Sequence, residues 1–260
     1  MRCKILILLF VILLLNNALA HGGERESLDY SLQLTSISLI LIILLISYSL
    51  YKNKLKNNER KVLFMLISLI TLATTFYLAY STISLNVNSI TKGPVHWHAD
   101  FEFWACGEKL DLKDPEGFFN RIGSPVYHEH NDDRIHVEGV VTDLEDISLH
   151  EFFDQVSAEI EKDHWVFINH DNEKLLINKC NGKKASTQAF LLKVINPENT
   201  KNWIYRQEKL ENYGDHVISP YTAVPPGDCI IIEFNEEKQT TKHVCESYKT
   251  SLKKGELSGS

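Results

Sequence analysis

The sequence predicts an α+β protein, a two-helix transmembrane hairpin followed by an exported domain built on a mixed sheet. Three observations carry this: two long uncharged apolar stretches, a set of short segments with apolar and polar residues in alternation, and an even number of cysteines in the C-terminal part.

Taken in order, Met1-Arg2-Cys3-Lys4, the apolar run Ile5 to Leu15 and Ala18-Leu19-Ala20 have the three parts of a secretory signal peptide, assigned to residues 1–20. Cleavage would leave His21 at the mature N-terminus, where its amino group and imidazole together offer a chelate to Cu(II). An uncleaved anchor is the alternative, and it exports the same domain. Residues 21–32 form a short external segment. Transmembrane helices are expected at 33–51, within the apolar stretch Tyr30 to Tyr51, and at 62–80. The loop between them, 52–61, holds five basic residues against the single acid Glu59, which places it in the cytoplasm. The localisation that follows is a two-pass membrane protein with its C-terminal domain outside the cytoplasm. A buried hairpin of a soluble protein is the competing reading of the two stretches.

Residues 81–92 read as a polar linker, 93–234 as the exported domain and 235–260, charged and rich in Ser, Lys and Gly, as a flexible tail. Beyond residue 80 the chain carries 30 acidic and 19 basic side chains. Such a field attracts cations and argues against a nucleic-acid partner. Four cysteines, Cys106, Cys180, Cys229 and Cys245, lie in this part, and outside the cytoplasm they read as disulfides. Of the three pairings, Cys106 with Cys180 and Cys229 with Cys245 is preferred, because the second pair would staple the tail to a strand at Cys229 to Phe234. No Cys-x-x-Cys motif points to thiol redox chemistry. His243-Val244-Cys245 is a weaker candidate for a soft Cu(I) site.

Five histidines, His96, His98, His128, His130 and His136, fall within 41 residues, four of them as two His-x-His pairs. In an extended strand residues i and i+2 share a face, so each pair is a two-imidazole clamp. In Val95 to Phe103 the residues Trp97, Ala99, Phe101 and Phe103 share one face, while His96, His98, Asp100 and Glu102 share the other. In Arg134 to Val141, Ile135, Val137 and Val141 oppose His136 and Glu138. Asp100 and Glu138 are expected to orient imidazoles by accepting from the second ring nitrogen. Glu129, Asp132 and Asp133 are further carboxylates nearby.

Other elements follow from local signals. A hairpin runs from Val95 to Ala105, through Cys106-Gly107-Glu108-Lys109, to Leu110-Asp111-Leu112. Ser148-Leu149-His150-Glu151 resembles a capping box opening a helix with Leu149, Phe152, Phe153 and Val156 on one side. Trp165 to Ile168 and Lys174 to Ile177 form a second hairpin, Gln188 to Ile195 and Cys229 to Phe234 are strands, and Asn181-Gly182 and Pro225 to Asp228 are turns.

This order, a hairpin, one helix and a last strand introduced by Gly-Asp, is similar to the β-grasp fold over about 95–234. A small β-sandwich is the alternative, although the ligand set of a cupredoxin is missing, both methionines (Met1 and Met65) lying outside the exported domain. Gly93-Pro-Val-His-Trp-His-Ala-Asp-Phe101 together with His128 to Gly139, which includes Ile-His-x-Glu-Gly, resembles uncharacterised prokaryotic membrane-anchored proteins with paired His-x-His motifs. That resemblance implies a grouping and no activity.

Imidazole with carboxylate suits Zn(II), Cu(II), Ni(II) or Fe(II), and outside the cytoplasm copper or zinc is the expected ion. The leading expectation is therefore an extracytoplasmic domain that captures, carries or senses copper or zinc through His96, His98, His128, His130 and His136. Two alternatives stay open. One is a metal-dependent hydrolase or oxidase in which three histidines hold the ion and Glu129 or Glu138 is the general base, although no His-Glu-x-x-His helix is present. The other is an interaction module switched by histidine protonation.

Overall fold

The structure is a computed structural model that describes residues 23–52, 54–116, 120–199, 202–219 and 227–259. The expected signal peptide and His21 lie outside them, as do Pro225 and Pro226 of the Pro225 to Asp228 turn. The chain divides after Asn88 into two compact units.

The first unit is a pair of helices, α1 (Gly23–Tyr51) and α2 (Asn57–Asn88). Both are long and apolar enough to cross a bilayer, and only 6% of each apolar window is buried inside the protein. A helix of a soluble core would hide that surface. Leu44, Phe64, Leu69 and Phe76 are exposed, and the helical backbone satisfies its own polar groups. Ser38 and Thr74 hydrogen-bond between the helices at 2.7 Å. The Thr74 hydroxyl already donates to the Ile70 carbonyl at 2.9 Å, so the shared proton comes from Ser38. In the first turn of α2, Glu59 accepts from Lys52 Nζ at 2.6 Å and from the Lys56 amide at 2.9 Å.

The second helix overruns its expected bounds at both ends, taking in residues 57–61 of the loop and 81–88 of the expected linker. Polarity alone does not end a helix when the side chains bond back onto it. Thr82 donates to the Leu78 carbonyl and Asn86 to the Thr82 carbonyl.

The second unit is built on a nine-stranded mixed sheet. Its strands are β1 (Pro94–Ala105), β2 (Glu108–Leu110), β3 (Ile122–Gly123), β4 (Tyr127–Glu129), β5 (Arg134–Val140), β9 (Ser186–Val194), β10 (Trp203–Leu210), β11 (Asp228–Asn235) and β12 (Leu257–Gly259). They lie in the order β12-β10-β9-β11-β1-β5-β4-β3, with β2 added beside β1. β1 is central, parallel to β11 on one side and antiparallel to β5 on the other. The first hairpin turns tighter than expected, through Cys106 and Gly107 alone, both at positive φ (54° and 90°). Two left-handed residues match the twist of the strands they join. The same device recurs at Asn181-Gly182, between the bridged Cys180 and Lys183.

One face of the sheet is covered by helix α3 (Leu149–Gln155) and by a separate three-stranded sheet, β6 (Glu159–Ile160), β7 (Trp165–Ile168) and β8 (Lys174–Ile177). Ser148 caps α3 as expected, accepting from the Glu151 amide. Phe101 meets Phe152 at 5.0 Å between ring centroids, and Phe103 meets Trp165 at 5.6 Å. Burying each such ring contributes about 1.5–3 kcal/mol. The Trp165 indole also donates to Thr187 on β9 at 2.8 Å, tying the small sheet to the large one.

The expected flexible tail is ordered. Residues Glu246–Lys254 form helix α4, and Leu257–Gly259 add β12 beside β10. Tyr248, Leu252 and Leu257 cover a second core with Phe190, Leu192, Trp203 and Ile231. β9 and β11 are thus buried on both faces, which is why they read as continuous apolar runs. Both expected disulfide pairings are present, Cys106–Cys180 and Cys229–Cys245. Cys245 is therefore no thiolate ligand, and His243 stacks on Trp104 with centroids 3.6 Å apart.

Candidate metal centre

The tail covers the β12 to β11 part of its face and reaches β1 at Glu102 and Trp104. At the other end, β1, β5 and β4 present the histidines.

The cross-strand register does the assembling. His98 on β1 lies opposite His136 on β5, and His136 lies opposite His128 on β4, so three imidazoles form a row across three strands. One step along, His96 lies opposite Glu138. Side chains directly opposite in an antiparallel pair sit about 4.5–5.5 Å apart at Cβ, within reach of a shared ligand. Ring centroids are 4.5 Å apart for His96 and His98, 4.7 Å for His98 and His136, and 5.5 Å for the parallel rings of His128 and His136.

His130 follows the end of β4, where Asn131 and Asp133 take positive φ and turn the chain back. The turn keeps His130 beside its neighbours, 4.6 Å from His128 and 4.9 Å from His136. β4 itself is held close by Gly123 (φ 113°), where a Cβ would come within 2.6 Å of the Tyr127 carbonyl oxygen. The five histidines and Glu138 consequently form two overlapping groups. His96, His98, His136 and Glu138 have ligand atoms within 4.8 Å of one another, and so do His128, His130 and His136.

Hydrogen bonds fix which nitrogens are free to donate a lone pair. His130 Nδ1 lies 2.5 Å from the Asn120 carbonyl, so its proton is there and Nε2 carries the lone pair. His136 Nε2 donates to Asp132 at 3.1 Å, leaving the lone pair on Nδ1. That Nδ1 is buried without a hydrogen-bond partner, as is Nδ1 of His128. A buried polar atom left unpaired costs about 1–3 kcal/mol, which a bound cation at His136 would remove. Burial also pushes His128 down to about 4, the neighbouring His130 adding to the effect, so the ring is neutral and ligand-ready at any ordinary pH.

The carboxylates are not placed as the sequence suggested. Asp100 does not orient an imidazole. It faces Arg134 in the strand register and accepts from its Nε at 2.7 Å. The orienting carboxylate is Asp132, four residues before His136 in the turn. The run Asn131-Asp132-Asp133, all turn-favouring residues, is the sequence signal of that turn. Glu138 is not behind the rings but among them. Its Oε1 lies 3.1 Å from His96 Nε2 and 4.0 Å from His136 Nδ1, and its Oε2 lies 4.0 Å from His128 Nε2. Glu129 alternates to the other side of β4 from His128 and accepts from the Asp132 amide at 2.8 Å.

Two consequences are measurable. Asp132→Asn is expected to weaken metal binding by about 10–100-fold, the usual cost of losing the partner that orients a ligating imidazole, and competition with a chelator of known affinity checks it. Glu129 is pushed up by burial to about 7. Because its folded value exceeds the ordinary 4.5, the metal-free protein is expected to lose stability as pH rises from 4.5 through 7, and Glu129→Gln is expected to flatten that slope in denaturant titrations.

A cavity of about 440 Å³ adjoins the cluster. Asp100, Asp132 and Arg134 line it from the strand side, and Glu246, Ser247 and Thr250 from α4. Asp132 is the shared wall, touching His136 on one side and the cavity on the other.

No protein-family model matches this chain, and neither a curated protein nor a solved structure shows significant similarity to it, so the reading of the centre rests on its own geometry.

Proposed function

We propose that this chain is a two-pass membrane-anchored protein whose extracytoplasmic domain captures, carries or senses copper or zinc. The observation that carries the reading is the convergence of five imidazoles and Glu138 on one sheet face, with the His136 Nδ1 lone pair buried and unpartnered. Imidazole nitrogen with carboxylate oxygen is the donor set that zinc and Cu(II) take. His96, His98, His128, His130 and His136 are the proposed ligands.

The topology is supported by the five basic residues of the 52–61 loop and by two disulfides, which persist in oxidising compartments. A β-grasp kinship for the domain is supported by β1 running parallel to β11 with α3 packed across them. The resemblance to membrane-anchored proteins with paired His-x-His motifs belongs to the same proposal.

A metal-dependent hydrolase or oxidase is the second reading, favoured by the cavity that shares Asp132 with the cluster. Glu138, beside three imidazoles, is then the general base in place of Glu129.

The test is metal analysis of the full chain, purified in detergent without a polyhistidine tag, beside His96→Ala/His128→Ala. Bound copper or zinc that disappears in the variant is expected. A wild-type protein that takes up neither, even after loading with each, overturns the proposal and returns the pH-responsive module.

A further inference from the structure

We infer that the cluster is a two-ion centre bridged by Glu138. The inference rests on the metal-binding reading and adds the number of ions, the partition of ligands and the site of any chemistry.

The six side chains do not form one group. They form two that overlap at His136, one with four ligand atoms and one with three. Glu138 faces both. Its Oε1 is turned to His96 (3.1 Å) and to the lone-pair nitrogen of His136 (4.0 Å), and its Oε2 is turned to His128 (4.0 Å). A carboxylate with one oxygen toward each of two nitrogen groups has the disposition of a bridging ligand.

The short contacts have the size of coordination edges. With bonds of about 2.0–2.1 Å, two ligands of a tetrahedral ion stand about 3.3 Å apart. His96 Nε2 to Glu138 Oε1 is 3.1 Å, and His128 Nε2, which donates a proton to His130 Nε2, lies 3.1 Å from it, a proton that an ion bound between the two rings would displace. These two edges share no atom, and each belongs to a different group.

The first ion takes His96, His98, His136 Nδ1 and Glu138 Oε1, a closed four-ligand set. The second takes His128, His130 and Glu138 Oε2, with the His136 ring packed parallel against His128. Three protein ligands leave a coordination position for water or substrate, the arrangement of catalytic rather than structural sites. The first ion is thus structural, and any exchange or turnover belongs to the second.

Asp132 and Asn120 already play the part that outer groups play at such centres. Asp132 directs the His136 lone pair toward the first ion, and the Asn120 carbonyl directs that of His130 toward the second.

The test uses the full chain in detergent, loaded with Cu(II) and dialysed, with copper counted by mass spectrometry and its environment read by electron paramagnetic resonance. Two-ion sites hold their ions about 3.5–4 Å apart, so two equivalents per chain with a signal attenuated by magnetic coupling are expected. Glu138→Gln, at a half-exposed position that tolerates the change, is expected to drop the count from two to one and to restore an uncoupled signal. His96→Ala/His98→Ala is expected to retain one ion, held by His128 and His130. One equivalent in the wild type, two equivalents with additive uncoupled signals, or a count unchanged in Glu138→Gln each overturns the bridge while leaving metal binding intact. Zero equivalents overturns the metal reading itself.

Discussion

Replacing His136 by alanine is expected to reduce copper or zinc binding more than Asp132→Asn does. His136 is the residue the two groups have in common, and Glu138 faces both. That histidine is also the middle member of the row His98, His136, His128, so its removal separates β1's pair from β4's. Losing an outer partner such as Asp132 costs about 10–100-fold, and losing the ring that Asp132 orients must cost more, since the partner acts only through it. His150→Ala is the matched control, because that histidine is exposed on α3 and pairs only with Asp154 at 3.9 Å. Chelator competition on the three proteins gives the order. Binding by His136→Ala equal to that by Asp132→Asn would remove His136 from the centre. The substitution is expected to leave the fold in place, since the ring packs among the other imidazoles and not in the apolar core, while Ile135 and Val137 on either side hold β5 to the core.

The halves of this centre differ in how far the sequence reveals them. Which face of β1 and β5 carries the histidines is readable, because half-buried strands alternate and Trp97, Phe101, Ile135 and Val137 mark the inner side. The register between strands is not. Nothing local states that His98 will lie opposite His136 or that Asp100 will lie opposite Arg134, and the second pairing is what withdrew Asp100 from the imidazoles. Asp132 escaped for a similar reason, being outside any strand and aimed by a turn whose geometry depends on two left-handed residues.

The same contrast holds for the fold. β9 and β11 announce themselves as apolar runs, but β10 alternates Arg206, Glu208 and Leu210 with half-buried Tyr205, Gln207 and Lys209, a pattern too polar to stand out. The tail's sequence predicts a loose segment because its lysines and glutamates outnumber its apolar residues. Its burial depends on few side chains, Cys245, Tyr248, Leu252 and Leu257. Tyr248, Ser251 and Leu252 have the helical spacing i, i+3, i+4 that was the available signal. Lys238 and Lys249, which look like solvated charges, reach the buried carboxylates Glu233 and Glu102 and help to hold the tail on the sheet.

Removing the Cys106–Cys180 disulfide is expected to destabilise the domain by about 4–5 kcal/mol, and removing Cys229–Cys245 by about 3 kcal/mol, because the loop-entropy cost grows with the length closed. The first bridge spans 74 residues and the second 16. At about 2–4 °C per kcal/mol for a domain of this size, the corresponding alanine pairs should melt roughly 8–20 °C and 6–12 °C below the wild type. Burial argues for the reverse order, since Cys229 and Cys245 are 0% and 1% exposed while Cys106 is half-buried at the first turn. Sulfur removed from that second core leaves a cavity, so a larger shift for Cys229→Ala/Cys245→Ala would mean that packing rather than chain entropy dominates. Metal content separates the two further. The Cys229–Cys245 bridge secures a tail that lines the cavity beside Asp132 and Arg134 but supplies none of the histidines, so its loss should change copper or zinc binding less than loss of the other bridge. The Cys106–Cys180 bridge anchors the end of β1, the strand that supplies His96 and His98. Its loss should therefore weaken metal binding together with stability, and metal uptake measured on both folded variants at low temperature decides the point.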